Sequence, residues 1–120
     1  MQELVERYVE TWNETRAETR RAAVARLFTE DGTYTDPLAD VAGHDAIAGL
    51  IGAVQEQFPG YVIRLADDGV DSHHDIGRFR WELVPVGGGE PVVIGFDVAV
   101  AGADGRLERV LGFIDKAPAG

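Results

Sequence analysis

Polar and apolar residues change their spacing once along this chain, near residue 60, from a helical period to an alternating one. Before that point Leu4, Val5, Tyr8, Val9 and Trp12 recur every three or four residues, with glutamates and Arg7 between them. A helical turn takes about 3.6 residues, so these side chains share a face, and the spacing predicts an amphipathic helix over residues 2–14 with an aromatic inner stripe. Asn13 and Thr15 then supply turn or cap chemistry. A second helix is expected from Ala17 to Phe28, with Val24, Leu27 and Phe28 inward and Asp31-Gly32 closing it. Thr33-Tyr34-Thr35 reads as a short strand stopped by Asp36-Pro37. Gly43-His44-Asp45 opens a third helix whose stripe is Ile47, Leu50, Ile51, Val54 and Phe58, and Pro59-Gly60 ends it.

Beyond residue 60 the pattern predicts strands over Tyr61–Ala66, Ile76–Val84, Val92–Val100 and Leu107–Asp115. In the second of these, Phe79, Trp81 and Leu83 alternate with Arg78, Arg80 and Glu82, which assigns the two sets to opposite faces. The glycines 87–89 form a flexible hairpin loop; they lack the strand-to-helix setting and the lysine of a phosphate loop. Ala103-Asp104-Gly105 is a tight turn. Helices first and an antiparallel sheet after define the α+β class.

Length and charge narrow the function classes. The 120 residues suffice for one domain and not for two. A formal charge of −10 leaves no basic footprint with which to displace counterions from nucleic acid or to meet an anionic membrane surface, so neither is an expected partner. The absence of cysteine removes disulfides and thiolate chemistry. Residues 1–12 are charged from Glu3 onward, and no stretch approaches the roughly 18 apolar residues of a membrane span, so a cytoplasmic chain is expected.

Asp97 is the polar residue that its surroundings explain least. Its strand is otherwise apolar from Val92 to Val100, and the residues of its own parity, Val93, Gly95 and Ala99, are small. A carboxyl placed there is desolvated, its pKa should rise, and in its protonated form it is a hydrogen-bond donor suited to a developing oxyanion. Pairing with Arg78 or Arg80 would make it structural instead, and on an edge strand it would face water. Asp36 precedes a proline that holds it extended and aims its carboxylate at a pocket mouth, where it could act as a base; a plain turn aspartate reads the same way. Tyr8 lies on the inner face of the first helix, as core or as a hydroxyl facing a pocket. His73-His74-Asp75 sits on a turn whose adjacent side chains diverge, with no further ligands at zinc spacing, so no metal is expected. His44 reads as a surface or capping residue rather than an acid catalyst.

Taken together these residues resemble a known family. The segment Arg7-Tyr8-Val9-Glu10-Thr11-Trp12-Asn13 resembles the first helix of bacterial ketosteroid isomerases, and Thr35-Asp36-Pro37-Leu38 is similar to their Asp-Pro turn. Phe96-Asp97, followed by Asp104-Gly105 and Leu107–Phe113, is similar to their late hairpin. Those enzymes belong to the nuclear-transport-factor-2-like superfamily, and Gly43-His44-Asp45-Ala46-Ile47 resembles the third-helix opening of its SnoaL-like polyketide-cyclase members. The order and approximate spacing agree along nearly the whole chain.

The resemblance implies a cone-shaped roll, three N-terminal helices on a curved, mainly antiparallel sheet, as one domain over residues 1–116 with a frayed tail at 117–120. It implies cofactor-independent proton transfer next to a carbonyl, with Asp36 as base and Tyr8 and a protonated Asp97 as donors to the dienolate oxygen. Trp12, Val54, Phe58, Val93, Ala99 and Ile114 are expected to line an apolar pocket for a small apolar or polycyclic carbonyl ligand. A homodimer is implied through the convex sheet face, where Trp81 or Phe113 would sit unless buried against the helices. Polyketide cyclisation and a non-catalytic ligand-binding or dimer module are the alternatives. So is an epoxide-hydrolase-like centre at Arg80 with Glu82 and Asp115, residues that a cross-strand ion pair also accounts for. The short segment Leu38–Gly43 departs from the isomerase pattern at the pocket mouth.

Overall fold

In the computed structural model, which describes residues 1–118, the change of period near residue 60 is a change of layer. Three helices, α1 (Gln2–Trp12), α2 (Ala17–Leu27) and α3 (His44–Gln57), pack on one face of a six-stranded sheet. Its strands are β1 (Phe28–Thr35), β2 (Asp40–Ala42), β3 (Tyr61–His73), β4 (Ile76–Pro85), β5 (Val93–Ala101) and β6 (Leu107–Lys116). They lie in the order β2-β1-β6-β5-β4-β3. All pairs are antiparallel except β1 with β6, which run parallel. The molecule is an α+β roll with a curved, mainly antiparallel sheet. Of the expected tail, Ala117 and Pro118 are described and residues 119–120 lie outside the described residues.

Three local expectations are corrected by pairing between distant segments. The second helix stops at Leu27, because Phe28 is already extended, at φ −104° and ψ 149°. From there β1 runs straight through Asp31-Gly32, which the sequence reads as a terminator. Phe28 pairs with Leu107 and Thr33–Thr35 pair with Arg109–Leu111, so the residues between bulge out of the ladder. Gly32 folds over Phe28 there: a Cβ at this position would lie 2.9 Å from Phe28 Cδ1. Secondly, the Asp36-Pro37 turn leads into β2, whose Asp40–Ala42 return along Thr33–Thr35. Thirdly, β3 does not end at Ala66. It absorbs Asp67-Asp68-Gly69 as a bulge between Leu65 and Val70 and pairs with β4 as far as His73. Gly69 takes the left-handed conformation this needs (φ +70°). Bulges of this kind bend a strand, which is how a long two-stranded ribbon can curl around the helices.

The core fills one end of the roll. Val5 of α1, Val24 and Leu27 of α2 and Ile47, Ala48 and Ile51 of α3 meet Phe28, Phe79, Ala99, Leu107 and Val110 of the sheet. Towards the other end of α1 the layers are held by polar straps. Asn13 donates Nδ2–H to the Ile63 carbonyl (2.7 Å) and accepts from the Ile63 amide (2.8 Å), behaving as a short strand on the free edge of β3. Gln55 of α3 donates to the carbonyls of Trp12 and Glu14, both at 2.9 Å, so the end of α1 is satisfied by α3. Replacing Asn13 by alanine removes both bonds and is expected to cost about 1–3 kcal/mol in a urea titration. A loss well below that range would show that water replaces the amide at this edge.

Candidate functional site

Where α1, α3 and the concave sheet face diverge, they enclose a pocket of about 290 Å³. Its walls are apolar. Val9 and Trp12 come from α1, Val54 and Phe58 from α3 and its C-cap, and Ile63, Leu83, Val93 and Ile114 from the sheet. Leu38 stands at its edge, 93% exposed. Of the residues expected to line it, Trp12, Val54, Phe58, Val93 and Ile114 do so. Ala99 does not. It shares the inward parity of Asp97 but lies one step further towards the packed end, and it is part of the core.

The polar groups of the pocket gather around Asp97, which is 1% exposed. Strand β5 alternates, so Val93, Gly95, Asp97 and Ala99 all face inward, and the carboxyl is turned to the cavity and away from the outer face of the sheet. Its Oδ2 accepts from the Tyr8 hydroxyl (3.2 Å) and its Oδ1 from the Trp81 indole N–H (2.9 Å). Arg78 and Arg80, its possible structural partners, are exposed side chains of the opposite parity; Arg78 pairs with Asp71 (3.2 Å). Burial is the main force on the Asp97 carboxyl and pushes it up from 3.8 to about 7, against the pull of the Trp81 and Tyr8 hydrogen bonds, while the Asp36 charge adds to the rise. Both protonation states are therefore populated near neutral pH.

Trp81 settles one alternative. It is on the concave face, half-buried in the pocket, and not on the convex one. Its indole lies over Gly95, its cross-strand neighbour, where any Cβ would overlap the ring. Phe113 is on the outer side, 55% exposed and beside Phe96 with ring centroids 6.1 Å apart. That Trp81 shares a face with Phe79 and Leu83 was visible in the sequence. Its contact with Asp97 needed the β4–β5 register.

Asp36 sits in the β1–β2 turn, half-buried. Its Oδ1 accepts from the amides of Leu38 and Ala39, both at 2.8 Å, and its Oδ2 from the Tyr34 hydroxyl at 2.7 Å. A carboxylate has about four acceptor positions, so one remains for a proton taken from a ligand. Tyr34 is a site residue the sequence did not single out. It is 3% exposed, and burial first, then the Asp97 charge and the bond to Asp36, raises its phenol well above the ordinary range. Gly112 separates the two acids. A Cβ there would lie 2.9 Å from Asp97 Oδ1 and 3.4 Å from Asp36 Cβ, so the missing side chain is what lets both carboxyls look into one cavity. Tyr8 completes the floor, edge-on to Phe28 and Phe79. Its hydroxyl is also pushed up, by burial and then by the Asp97 charge.

The remaining candidates lie elsewhere. The His44 Nε2 is 2.9 Å and 3.0 Å from the carbonyl oxygens of Phe28 and Thr29, which can only accept, so this nitrogen carries the hydrogen and ties α3 to β1. Arg80 and Asp115 are exposed, and Glu82 is bound to Arg64 at 2.7 Å, so no centre forms at Arg80. Among the described residues no three His, Asp or Glu side chains gather as a metal site, and no helix is long and apolar enough to cross a membrane.

Comparison with known proteins agrees with this architecture. The profile of the SnoaL-like domain matches residues 5–110. A solved structure of a candidate isomerase of the SnoaL-like family from Agrobacterium tumefaciens strain C58 is 37% identical, with 93% of this chain and 94% of that one covered and a TM-score of 0.87. A candidate ketosteroid isomerase from Kribbella flavida is 19% identical, covers 99% and 80%, and scores 0.70. A candidate polyketide cyclase from Sinorhizobium meliloti is 20% identical, covers 93% and 94%, and scores 0.71. No curated protein sequence matches.

Proposed function

Because the chain belongs to the SnoaL-like family of the nuclear-transport-factor-2-like superfamily, we propose that it is a cofactor-independent enzyme moving a proton next to a carbonyl. The reading rests on one observation above the others: a carboxyl removed from water inside an apolar cavity, bonded to Tyr8 and separated from a second carboxyl by a glycine. The names of its structural relatives, isomerases and a cyclase, support the same class of chemistry.

In this mechanism Asp36 takes the proton from the carbon beside the carbonyl. The C–H electron pair moves into the adjacent C–C bond, and the carbonyl oxygen gains the charge. Tyr8 and protonated Asp97 donate to that oxygen, in a cavity where such donors need no reorganisation. Asp36 then returns the proton to a different carbon, and a β,γ-unsaturated ketone becomes the conjugated isomer. The walls fit a compact apolar ligand, since about 290 Å³ is near the lower end of the roughly 300–1,000 Å³ usual for ligand pockets.

The test is to follow conjugation of a β,γ-unsaturated steroid ketone by ultraviolet absorbance across pH. Turnover is expected, with kcat/KM declining above about pH 7 as Asp97 loses its donor proton. Tight binding of a phenolic steroid without any turnover would overturn the enzymatic reading in favour of a binding module.

A further inference from the structure

Trp81 has no part in the mechanism above, yet its position is fixed by two contacts, one at Asp97 and one at Gly95. An indole N–H can only donate, and the one at Trp81 reaches Asp97 Oδ1 at 2.9 Å. The ring gets there by passing over Gly95, in space that a single methyl group would close. Packing alone would not require an N–H at that point.

We propose that Trp81 is a positioning residue: by occupying Asp97 Oδ1 with a pure donor, it confines the acid proton to Oδ2, beside Tyr8. A proton on Oδ1 would leave the indole facing a hydroxyl oxygen, a poorer acceptor than a carbonyl oxygen. A proton on Oδ2 keeps Oδ1 as the carbonyl oxygen and leaves the acid proton beside the Tyr8 hydroxyl, 3.2 Å away, where both groups can donate to one ligand oxygen. The tryptophan thus decides which oxygen works as the acid and, by favouring the charged form, at what pH it stops. The role, as distinct from the contact, rests on reading Asp97 as the acid of the site.

The groups facing Asp97 are few. They are Tyr8 from α1, Tyr34 from β1, Asp36 from the following turn, and Trp81 from β4, while β6 presents Gly112. Among them Asp36 acts on Asp97 in the sense opposite to Trp81.

The experiment needs no turnover. The chain has two tryptophans, so a nitrogen-15 spectrum carries two indole N–H signals. The Trp81 signal is expected to titrate with a midpoint near pH 7 and to become flat over pH 5–9 in Asp97→Asn. Loss of the bond in Trp81→Phe, or displacement of the ring in Gly95→Ala, should raise the Asp97 midpoint by about one pH unit, read from the carbon-13 carboxyl signal. Both variants should move the alkaline limb of kcat/KM upward by the same amount. A wild-type Trp81 signal that does not titrate overturns the proposal, even if neither variant folds. An Asp97 midpoint unmoved in folded Trp81→Phe overturns it as well. Absent isomerase activity with a titrating indole would count against the enzymatic reading alone.

Discussion

Replacing Asp97 by asparagine should make the protein more stable at pH 8, by up to about 4 kcal/mol, while leaving its stability near pH 4 almost unchanged. In the unfolded chain this carboxyl ionises near 3.8, but the folded protein holds its proton up to about 7. Between those values the native state binds the extra proton, so native stability falls as pH rises, and the loss is complete above about pH 7. Each pH unit of that interval is worth about 1.4 kcal/mol, which sets the ceiling. Asparagine never ionises. Its carbonyl oxygen can still accept from Trp81, and its amide can donate to the Tyr8 oxygen, so both contacts of Asp97 keep a counterpart in the variant. Urea titrations of both proteins at several pH values measure the difference. Parallel curves would mean that Asp97 is ionised at little cost and that the cavity is wetter than its walls suggest. A residue that destabilises the fold at working pH is a sign of function, since a structural role would be filled better by the amide.

The second large effect concerns Asp36. Asp36→Asn should lower kcat/KM by roughly 10²–10⁴, the range for loss of a positioned base. It should leave the fold and the affinity for a phenolic steroid nearly as they were. The asparagine oxygen can keep the Leu38 and Ala39 amides, which shape the turn, and the new amide can donate to the Tyr34 oxygen. If affinity and catalysis fell together, the turn and not the base would be at fault. If catalysis survived, the proton would have to be taken by the other acid, Asp97, and the roles assigned here would be exchanged.

How much of this was legible beforehand differs from residue to residue. Asp97 stood out because a strand of small apolar residues offers a carboxyl no water on its own face, and that argument needs only period and composition. Asp36 was visible as an Asp-Pro turn, though not as the link into β2. Tyr34 was not visible as a site residue, because a tyrosine between two threonines looks like any strand residue until its hydroxyl is found on Asp36. Trp81 was assigned to the right set of neighbours, Phe79 and Leu83, while its side of the sheet, convex or against the helices, was left open. Alternation separates two faces but carries no label for the concave one.

The three helices, the four strands after residue 60 and the shared face of Asp97 with Val93, Gly95 and Ala99 were determined by the amino-acid sequence alone. Each follows from spacing within a few residues, where helical and extended geometry leave little choice. The parallel pairing of β1 with β6, the continuation of β3 through Asp67-Asp68-Gly69 and the seating of Trp81 on Gly95 were decided only in three dimensions. They depend on registers between segments far apart in the chain, which are set by the packing of the whole sheet against its helices and leave no periodic trace in either segment.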